Sequence, residues 1–351
     1  MTLADRLRTR IAMDGPMTLA DYMTACLLDP ADGYYATRDP LGAAGDFITA
    51  PEISQMFGEL LGLALAQAWL DQGSPAPFTL AEPGPGRGTL MADILRATAR
   101  VPGFHAAAQV HLIEASPTLR AVQAQAVPGA VWHDTLATLP DQPLFLVANE
   151  FFDALPIRQF QRDGDGWRER VVGLSGDALA LGLTDPAPLT RLAHRLDDTR
   201  DGDIVELSSA ATDAVAIIGA RIAAHGGAAI IVDYGDWTSL GDTFQAVQAH
   251  QPVDPFATPG QADLTAHVDF AALAHAAAPA RHSRLTPQGV FLERLGIAQR
   301  AQALAAGMDD AARARHISAH RRLTHPDEMG DLFKVLGLFA DGAAPPPGLM
   351  T

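Results

Sequence analysis

The chain has 351 residues, 48% of them hydrophobic, and its 25 basic and 41 acidic side chains give a formal net charge of −16. That length and apolar content allow one large domain or two smaller ones with a well-filled core. The negative charge argues against a nucleic-acid substrate, because like charges repel at long range, and it would suit a basic partner, although acidity also serves solubility.

The cysteine count, the histidine spacing and the hydropathy of the sequence bear on disulfides, metal binding and cellular location. Cys26 is the single cysteine of the sequence, which excludes an intrachain disulfide and a cysteine-rich metal site. The histidines show no metal-ligand spacing with acids, so no metal is expected. We find no apolar signal core at the N-terminus, and the most apolar helical run, 57–70, is shorter than the roughly 20 residues that span a bilayer. A bacterial, cytoplasmic protein without a membrane span is expected.

The first 75 residues are predicted to be helical. Apolar residues recur at helical spacing over 3–11 and 17–28, and a third helix is predicted from Pro51 to about residue 70. From there strands and helices alternate, with strands predicted at 78–82, 109–114, 130–133 and 143–149 and helices at 89–100 and 117–126. This βαβ rhythm predicts a parallel sheet that helices cover on both faces.

The rhythm breaks at 157–174, where two alternating runs flank Asp163-Gly164-Asp165-Gly166 and predict a β-hairpin. The remaining predicted elements are a strand at 203–207, a helix at 211–224, a buried strand at 228–232, an ordered loop at 236–268, helices at 269–278, 289–305 and 310–323, and a last strand at 333–339.

A glycine-rich turn after the first predicted strand is the most informative local pattern. The strand ends in Glu82, and Gly84, Gly86 and Gly88 then lead through Thr89 into a helix. Bare backbone N–H groups beside a helix N-terminus suit a nucleotide or an amino-acid carboxylate. A dinucleotide fingerprint needs Gly-x-Gly-x-x-Gly, but here the third glycine comes one residue early. Acid-x-Gly-x-Gly-x-Gly is typical of S-adenosylmethionine (SAM) methyltransferases; the alternative is a turn without ligand.

Acids also follow the next two strands. Glu114 lies 30 residues after Gly84 and could accept hydrogen bonds from both hydroxyls of a ribose. Dinucleotide enzymes place this acid about 20 residues on, so the longer spacing favours SAM over NAD. Asp134 follows the third strand and could hold an adenine amino group, or it could equally be a helix cap or a surface acid.

The fourth strand ends in Asn149-Glu150-Phe151-Phe152-Asp153. Two acids and an amide at a strand end could hold a cationic or amide nitrogen beside a methyl donor. Glu150 and Asp153 could both face one guanidinium, whose planar fork matches a carboxylate. The alternative is a capping pair with two core phenylalanines.

Two more residues are candidates with simpler alternatives. Glu52 follows Pro51 at a helix start, where the helix dipole alone would favour an acid. His267 could be a base, although a histidine in a helix-entry loop is more often a cap or a packed residue.

Several segments resemble the MidA family of SAM-dependent methyltransferases, which includes a mitochondrial arginine methyltransferase of complex I assembly. They are DPADGYY (29–35), GDFITAPEISQMFGE (45–59), GPGRGTLM (84–91), NEFFDALP (149–156), IVDYG (231–235), DLTAHVDF (263–270) and the stretch 288–292. Pro83 departs from the apolar residue usual in the family, which stiffens the loop and removes a backbone donor.

The resemblance implies a class I methyltransferase fold of the α/β class, with a Rossmann-like, mostly parallel seven-stranded sheet. It implies a helical extension over 1–75, a SAM-binding core over 76–235 that carries the hairpin, and a region over 236–351 with a substrate-side loop, helices and the final strand. The implied cofactor is SAM, and the implied substrate is an exposed arginine of a protein, a complex I subunit.

The candidate residues divide between two roles. Catalysis is assigned to Glu150 first, with Asp153, Asn149, Glu52 and His267. The cofactor side comprises Glu82, Gly84, Gly86, Gly88, Thr89, Glu114, Asp134, Asp46 and Thr49. Two rival functions are an NAD-linked oxidoreductase, which the glycine spacing disfavours, and a non-catalytic assembly factor, which would tolerate loss of the acids that remain intact here.

Overall fold

The computed structural model describes residues 1–37 and 49–351. Its helices are α1 Leu3–Asp14, α2 Leu19–Leu28, α3 Tyr34–Thr37, α4 Ala50–Ile53, α5 Gln55–Asp71, α6 Thr89–Thr98, α7 Phe104–Ala107, α8 Pro117–Ala126, α9 Ser209–His225, α10 Phe270–Ala276, α11 Gln288–Arg294, α12 Ile297–Ala305 and α13 Asp310–Thr324. Shorter helical turns occupy Leu136–Thr138, Thr190–Leu196 and Pro326–Gly330.

The strands are β1 Met17–Thr18, β2 Phe78–Pro83, β3 Ala108–Ile113, β4 Val131–His133, β5 Leu144–Asn149, β6 Arg158–Asp163, β7 Gly166–Ser175, β8 Ala178–Leu183, β9 Ile204–Leu207, β10 Gly227–Asp236, β11 Gln245–Gln248, β12 Gln251–Val253, β13 Asp263–Thr265, β14 Val268–Asp269, β15 Arg281–His282, β16 Thr286–Pro287 and β17 Phe333–Phe339.

The chain forms two compact units. The hairpin unit comprises the described residues of Met1–Pro40 with Asp153–Ala211 and Thr238–Asp269, and the sheet unit comprises those of Leu41–Phe152 with Thr212–Trp237 and Phe270–Thr351. These units differ from the three consecutive segments expected from the sequence, because the chain leaves and re-enters each of them.

The sheet unit is built on one large sheet with the strand order β15-β17-β10-β5-β2-β3-β4. Strands β10, β5, β2, β3 and β4 are parallel, whereas β17 runs antiparallel to β10 and β15. All residues of β2 and β5 are buried, as is typical of parallel strands covered on both faces. The mostly parallel sheet expected from the βαβ rhythm is therefore present, and ligands bind such sheets at the carboxyl ends of the strands.

An aromatic cluster fills the core of the sheet unit beneath β2. Phe78 lies with its ring centroid 5.3 Å from that of Phe145 and 5.0 Å from that of Phe104, and Trp69 of α5 meets Phe104 edge to face at 5.3 Å. Rings of this size dominate the energy of burial and prefer such tilted arrangements. They fix α5 against the strand that leads into the glycine turn.

The hairpin unit contains the predicted β-hairpin. Strands β6 and β7 pair in antiparallel register, with Asp163 opposite Gly166 at the turn. The strand order is β1-β7-β6-β9, and β8 pairs with β7. Leu3, Leu7 and Ile11 of α1 and Tyr22 of α2 are buried in this unit's core, as their helical spacing predicted.

Three local predictions were wrong. The span 236–268 is not only a loop, because β11 pairs with both β12 and β13. Because this span is rich in Gly, Pro and Asp, its composition predicted a loop, and its strands of three and four residues were missed. The helix predicted from Pro51 is two helices, because extended Ser54 (φ −161°) ends α4 and caps α5 by accepting a hydrogen bond from the Met56 N–H. Likewise, the helix predicted at 289–305 breaks at left-handed Gly296.

Candidate active site

The glycine turn after β2 has the backbone that its sequence predicted. Gly84, Gly86 and Gly88 all have positive φ, at 61°, 55° and 82°. A Cβ on Gly84 would lie 2.9 Å from Cδ2 of Phe151, so a larger residue is excluded by space as well as by conformation. The turn leads directly into α6 at Thr89, which leaves the helix N-terminus beside bare backbone.

Glu82, the acid that precedes this turn, is 3% exposed. Its Oε2 has no hydrogen-bond partner among the described residues. Burial raises the pKa of Glu82 to about 8, and a hydrogen bond with the Met91 backbone opposes that rise only in part. A buried carboxyl oxygen without a partner costs free energy until a ligand or water donates to it.

Glu114 lies at the end of the neighbouring strand β3 and is also buried. Its Oε1 accepts the Ser116 N–H at 2.8 Å, and its Oε2 accepts Nε2 of Gln123 at 3.0 Å. Burial raises the pKa of Glu114, while these hydrogen bonds and the charge of Arg120 lower it. The carboxylate is thus held in place by donors that favour its charged form.

Gln123 was missed at the sequence level. It is fully buried on α8, between Leu119 and Val127, which are also buried. These three residues are four apart and share one helical face. A glutamine at the middle position of an otherwise apolar face is the signal that would have identified it.

Asp134 has a different environment from Glu114. Its side chain is 85% exposed and pairs with Nη2 of Arg120 at 2.5 Å. Nε of Arg120 also donates to the Glu114 carbonyl at 2.7 Å. The structure thus shows Asp134 as a surface acid in an ion pair, the alternative left open by the sequence, and its contact with adenine stays a prediction.

Asn149 is the last residue of β5, and Glu150 follows it directly. Oε1 of Glu150 accepts Nδ2 of Asn149 at 3.0 Å and the Ala50 N–H at 3.1 Å, and the Glu150 N–H donates to Val232 O at 3.0 Å. Glu150 has φ of +50°, a left-handed conformation that is uncommon outside glycine. Asn149 is 8% exposed, and its Oδ1 has no partner among the described residues.

The short helix α4 connects this strand end to the glycine turn. Its first residue, Ala50, donates to Glu150, and Oε1 of Glu52 accepts the Thr89 hydroxyl at 2.5 Å. Thr49 precedes the helix and makes no side-chain capping bond. The structure thus links Glu52, a catalytic candidate, to Thr89, a cofactor candidate, and places the start of the same helix against Glu150; their roles stay predictions. Asp46 lies outside the described residues.

Asp233 on β10 also contributes to this strand end and was not among the predicted site residues. It is fully buried, and its Oδ2 accepts the Phe152 N–H at 2.9 Å. Its position in IVDYG, at the end of a buried strand, was the available signal. Asp233 fixes the backbone that follows Glu150.

The other two catalytic candidates belong to the hairpin unit. Asp153 is buried, and its carbonyl accepts the Ala266 N–H at 3.0 Å, one residue before His267. His267 is exposed, and its N–H donates to Thr243 Oγ1 at 2.8 Å. The same unit holds Tyr35, whose hydroxyl donates to Asp263 at 2.8 Å. The five candidates therefore fall into two groups, one in each unit.

Comparisons with known proteins agree with this geometry. A family model described as "Putative S-adenosyl-L-methionine-dependent methyltransferase" matches residues 60–288. The chain is 36% identical to the mitochondrial protein arginine methyltransferase NDUFAF7 of Danio rerio, over 95% of this chain and 86% of that protein, and 36% identical to the Homo sapiens protein, over 95% and 82%. A Burkholderia thailandensis protein crystallised with S-adenosyl-homocysteine (SAH) superposes with a TM-score of 0.82 at 30% identity, over 99% of this chain and 93% of that one.

The residues at the carboxyl ends of β2 and β3 fit SAM. The glycine turn presents backbone without side chains, Glu82 has a buried acceptor that no residue of 1–37 or 49–351 bonds, and Glu114 is an anchored carboxylate at the next strand end. The fold is that of class I SAM-dependent methyltransferases, as the resemblance implied. The chain therefore belongs to the family of SAM-dependent methyltransferases, and SAM is its cofactor.

Proposed function

We propose that this enzyme methylates an arginine side chain of a protein, a subunit of respiratory complex I before that subunit is fully assembled. The identity to relatives named protein arginine methyltransferase, over nearly the whole chain, carries this proposal. The anchored carboxylate of Glu150 at a strand end supports it, because a guanidinium is recognised best by carboxylates. A folded complex would bury many such arginines, so the enzyme would act early.

The cofactor would be held at the carboxyl ends of β2 and β3. The glycine turn and Thr89 would receive its amino-acid part, and the Glu82 oxygen that has no partner in the described part of the chain would accept an N–H from its amino group. Glu114 would accept the ribose hydroxyls, and Asp134 would hold the adenine amino group. Thr49 and Asp46 remain proposed contacts on the same side. When bound, SAM supplies a methyl group on a positively charged sulfur; the attacking nitrogen approaches the methyl carbon in line with the bond to sulfur, and the sulfur leaves.

Glu150 would prepare the arginine for attack. An arginine is protonated at neutral pH, since its unperturbed pKa is about 12.5–13.8. A carboxylate beside the nitrogens that do not react keeps the positive charge there and leaves electron density on the reacting nitrogen. Orientation can supply roughly 7–11 kcal/mol of such a barrier. The left-handed backbone of Glu150, which costs about 1–2 kcal/mol, is consistent with a position kept for function.

Asn149 would also help to bind the guanidinium of the substrate arginine. Its Oδ1 is a buried acceptor that none of the described residues bonds, and its Nδ2 already donates to Glu150, so the amide can accept a guanidinium N–H without releasing the acid. Asp153, Glu52 and His267 stay proposed as assisting residues.

Incubation of the purified enzyme with methyl-labelled SAM and a candidate complex I subunit tests the proposal. Label on the wild-type subunit, and none when the target arginine is replaced by lysine, is the expected result. Label on a small metabolite or on nucleic acid instead would overturn the arginine assignment and leave the fold and cofactor standing. The same protein should bind SAH and not NAD in calorimetry.

We also propose that the enzyme acts in the cytoplasm. The relatives named above are mitochondrial. Among the described residues, no helix is long and apolar enough to cross a membrane. Fractionation of the host cell, followed by immunoblotting, tests this placement.

A further inference from the structure

A single buried amide joins three parts of the cofactor side of the sheet unit. Nε2 of Gln123 donates to Gly86 O at 2.7 Å and to Glu114 Oε2 at 3.0 Å. Its Oε1 accepts the indole N–H of Trp132 at 2.9 Å. The side chain is 0% exposed, so these bonds are not exchanged with water. Both hydrogens and the oxygen of the amide are used, which fixes its orientation.

We propose that Gln123 is a positioning residue for the cofactor, which aims the Glu114 carboxylate and fixes the carbonyl of Gly86 in the glycine turn. This inference rests on the proposed role of Glu114 in holding the ribose. A ribose needs two acceptor oxygens at a set distance from the turn that holds the rest of the ligand. Because one amide nitrogen bonds both the turn and the carboxylate, it sets that distance directly. Trp132 holds the amide from the other side, so rotation would break three bonds together.

The charge state of Glu114 gives a signature that a packing role would not produce. Burial raises the pKa of Glu114, and the hydrogen bond from Gln123 is among the interactions that lower it. In the described ranges, the other charged or titratable groups near it are Arg120 on α8, His133 at the end of β4, Asp134 after it, His111 on β3 and Glu82 on β2. None of these is changed when Gln123 is replaced, so a difference between variants reports on Gln123.

The test is calorimetric titration of SAH into the full-length protein from pH 6 to pH 9. Gln123→Met keeps the side-chain length and removes both donors. We expect its SAH affinity at pH 7.5 to fall about tenfold, and the weakening on acidification to begin at a higher pH than in wild type, because Glu114 is protonated more readily. Trp132→Phe is the matched control: it also breaks a hydrogen bond of the same amide, from a half-buried indole, but leaves both donations intact, and its affinity should stay within about threefold.

Gln123→Glu gives a second arm with the same shape. Its carboxylate would face Glu114 and Gly86 O, so SAH should bind at least tenfold more weakly at pH 8 and recover as the pH falls, opposite to wild type. Equal affinities and pH profiles for wild type and Gln123→Met, or an equal loss in Trp132→Phe, would overturn the positioning role alone. If wild type binds no SAH, the cofactor assignment and the role of Gln123 fall together.

Discussion

Glu82, a single buried residue of the proposed cofactor site, makes the folding stability depend on pH. Its carboxyl is buried with an oxygen that no described residue satisfies, and its pKa is raised to about 8 by that burial. Between its unfolded pKa of 4.5 and this value, the unfolded chain releases a proton that the folded chain retains. Stability contributed by the neutral group is therefore present below pH 4.5 and is lost as pH rises towards 8.

Replacement of Glu82 by glutamine should remove this pH dependence. We expect the stability of Glu82→Gln relative to wild type to increase from pH 5 to pH 8, by up to about 1.4 kcal/mol per pH unit. Urea unfolding of both proteins at pH 5, 6.5 and 8 measures the difference. A constant difference across these values would mean that Glu82 is ionised in the fold.

Glu150 combines a strained backbone with an anchored carboxylate. Replacing Glu150 by glutamine keeps its shape and removes its charge, so we expect SAH binding near wild type and methyl transfer at least about a hundredfold slower, equivalent to roughly 3 kcal/mol. Single-turnover assays with labelled SAM measure the rate, and calorimetry measures binding.

A matched control for this variant is Asp177→Asn, which removes one negative charge in the exposed turn between β7 and β8. It should transfer methyl groups at the wild-type rate. An undiminished rate in Glu150→Gln would show that the acid is structural, the capping role that the sequence left open.

At the scale of elements, α4 has four residues and cannot be stable by itself. Two side-chain bonds hold it, from Ala50 to Glu150 and from Thr89 to Glu52, and they join it to β5 and to the start of α6. Both partners of each bond lie beside the predicted methyl-transfer site. A small helix so attached can transmit a change at the glycine turn to Glu150, the proposed catalytic acid.

Removal of the Thr89 hydroxyl tests this connection. Thr89→Val keeps the β-branched shape, and we expect a loss of about 1 kcal/mol in unfolding free energy, since half-buried Glu52 loses its donor. The SAH affinity should fall several-fold as the start of α6 loosens. Thr89→Ser retains the hydroxyl and should behave as wild type in thermal unfolding and calorimetry; a defect in Thr89→Ser as large as that in Thr89→Val would contradict the assignment of the loss to the hydroxyl bond with Glu52.

At the scale of the whole molecule, the net charge of −16 bears on the substrate. An acidic enzyme attracts a basic protein at long range, and salt screens this attraction beyond about 10 Å at 0.1 M ionic strength. We expect the KM for a basic protein substrate to rise several-fold between 50 and 300 mM salt, while the affinity for SAH changes little. Steady-state assays across this range check it, and a salt-independent KM would argue that charge plays no part in substrate capture.

The family, the cofactor and most of the helices and strands could be predicted from the amino-acid sequence alone. Periodicity and turn residues are local, so the βαβ alternation, the hairpin at Asp163–Gly166 and the glycine turn could be read without a structure. The acids Glu82, Glu114 and Glu150 were predicted because parallel strands bring their carboxyl ends to one edge. The class I fold was predicted from the segments that resemble the MidA family.

Which of these residues contact one another could be learned only from the folded chain. Ala50 and Glu150 are 100 residues apart, and Thr89 and Glu52 are 37 apart, so no local pattern encodes their bonds. The same holds for Gln123, whose partners lie on a turn and two strands, and for the short strands within 236–268, which are stable only when paired. Local propensity selects elements, whereas hydrogen bonds between distant segments exist only after packing has excluded water from them.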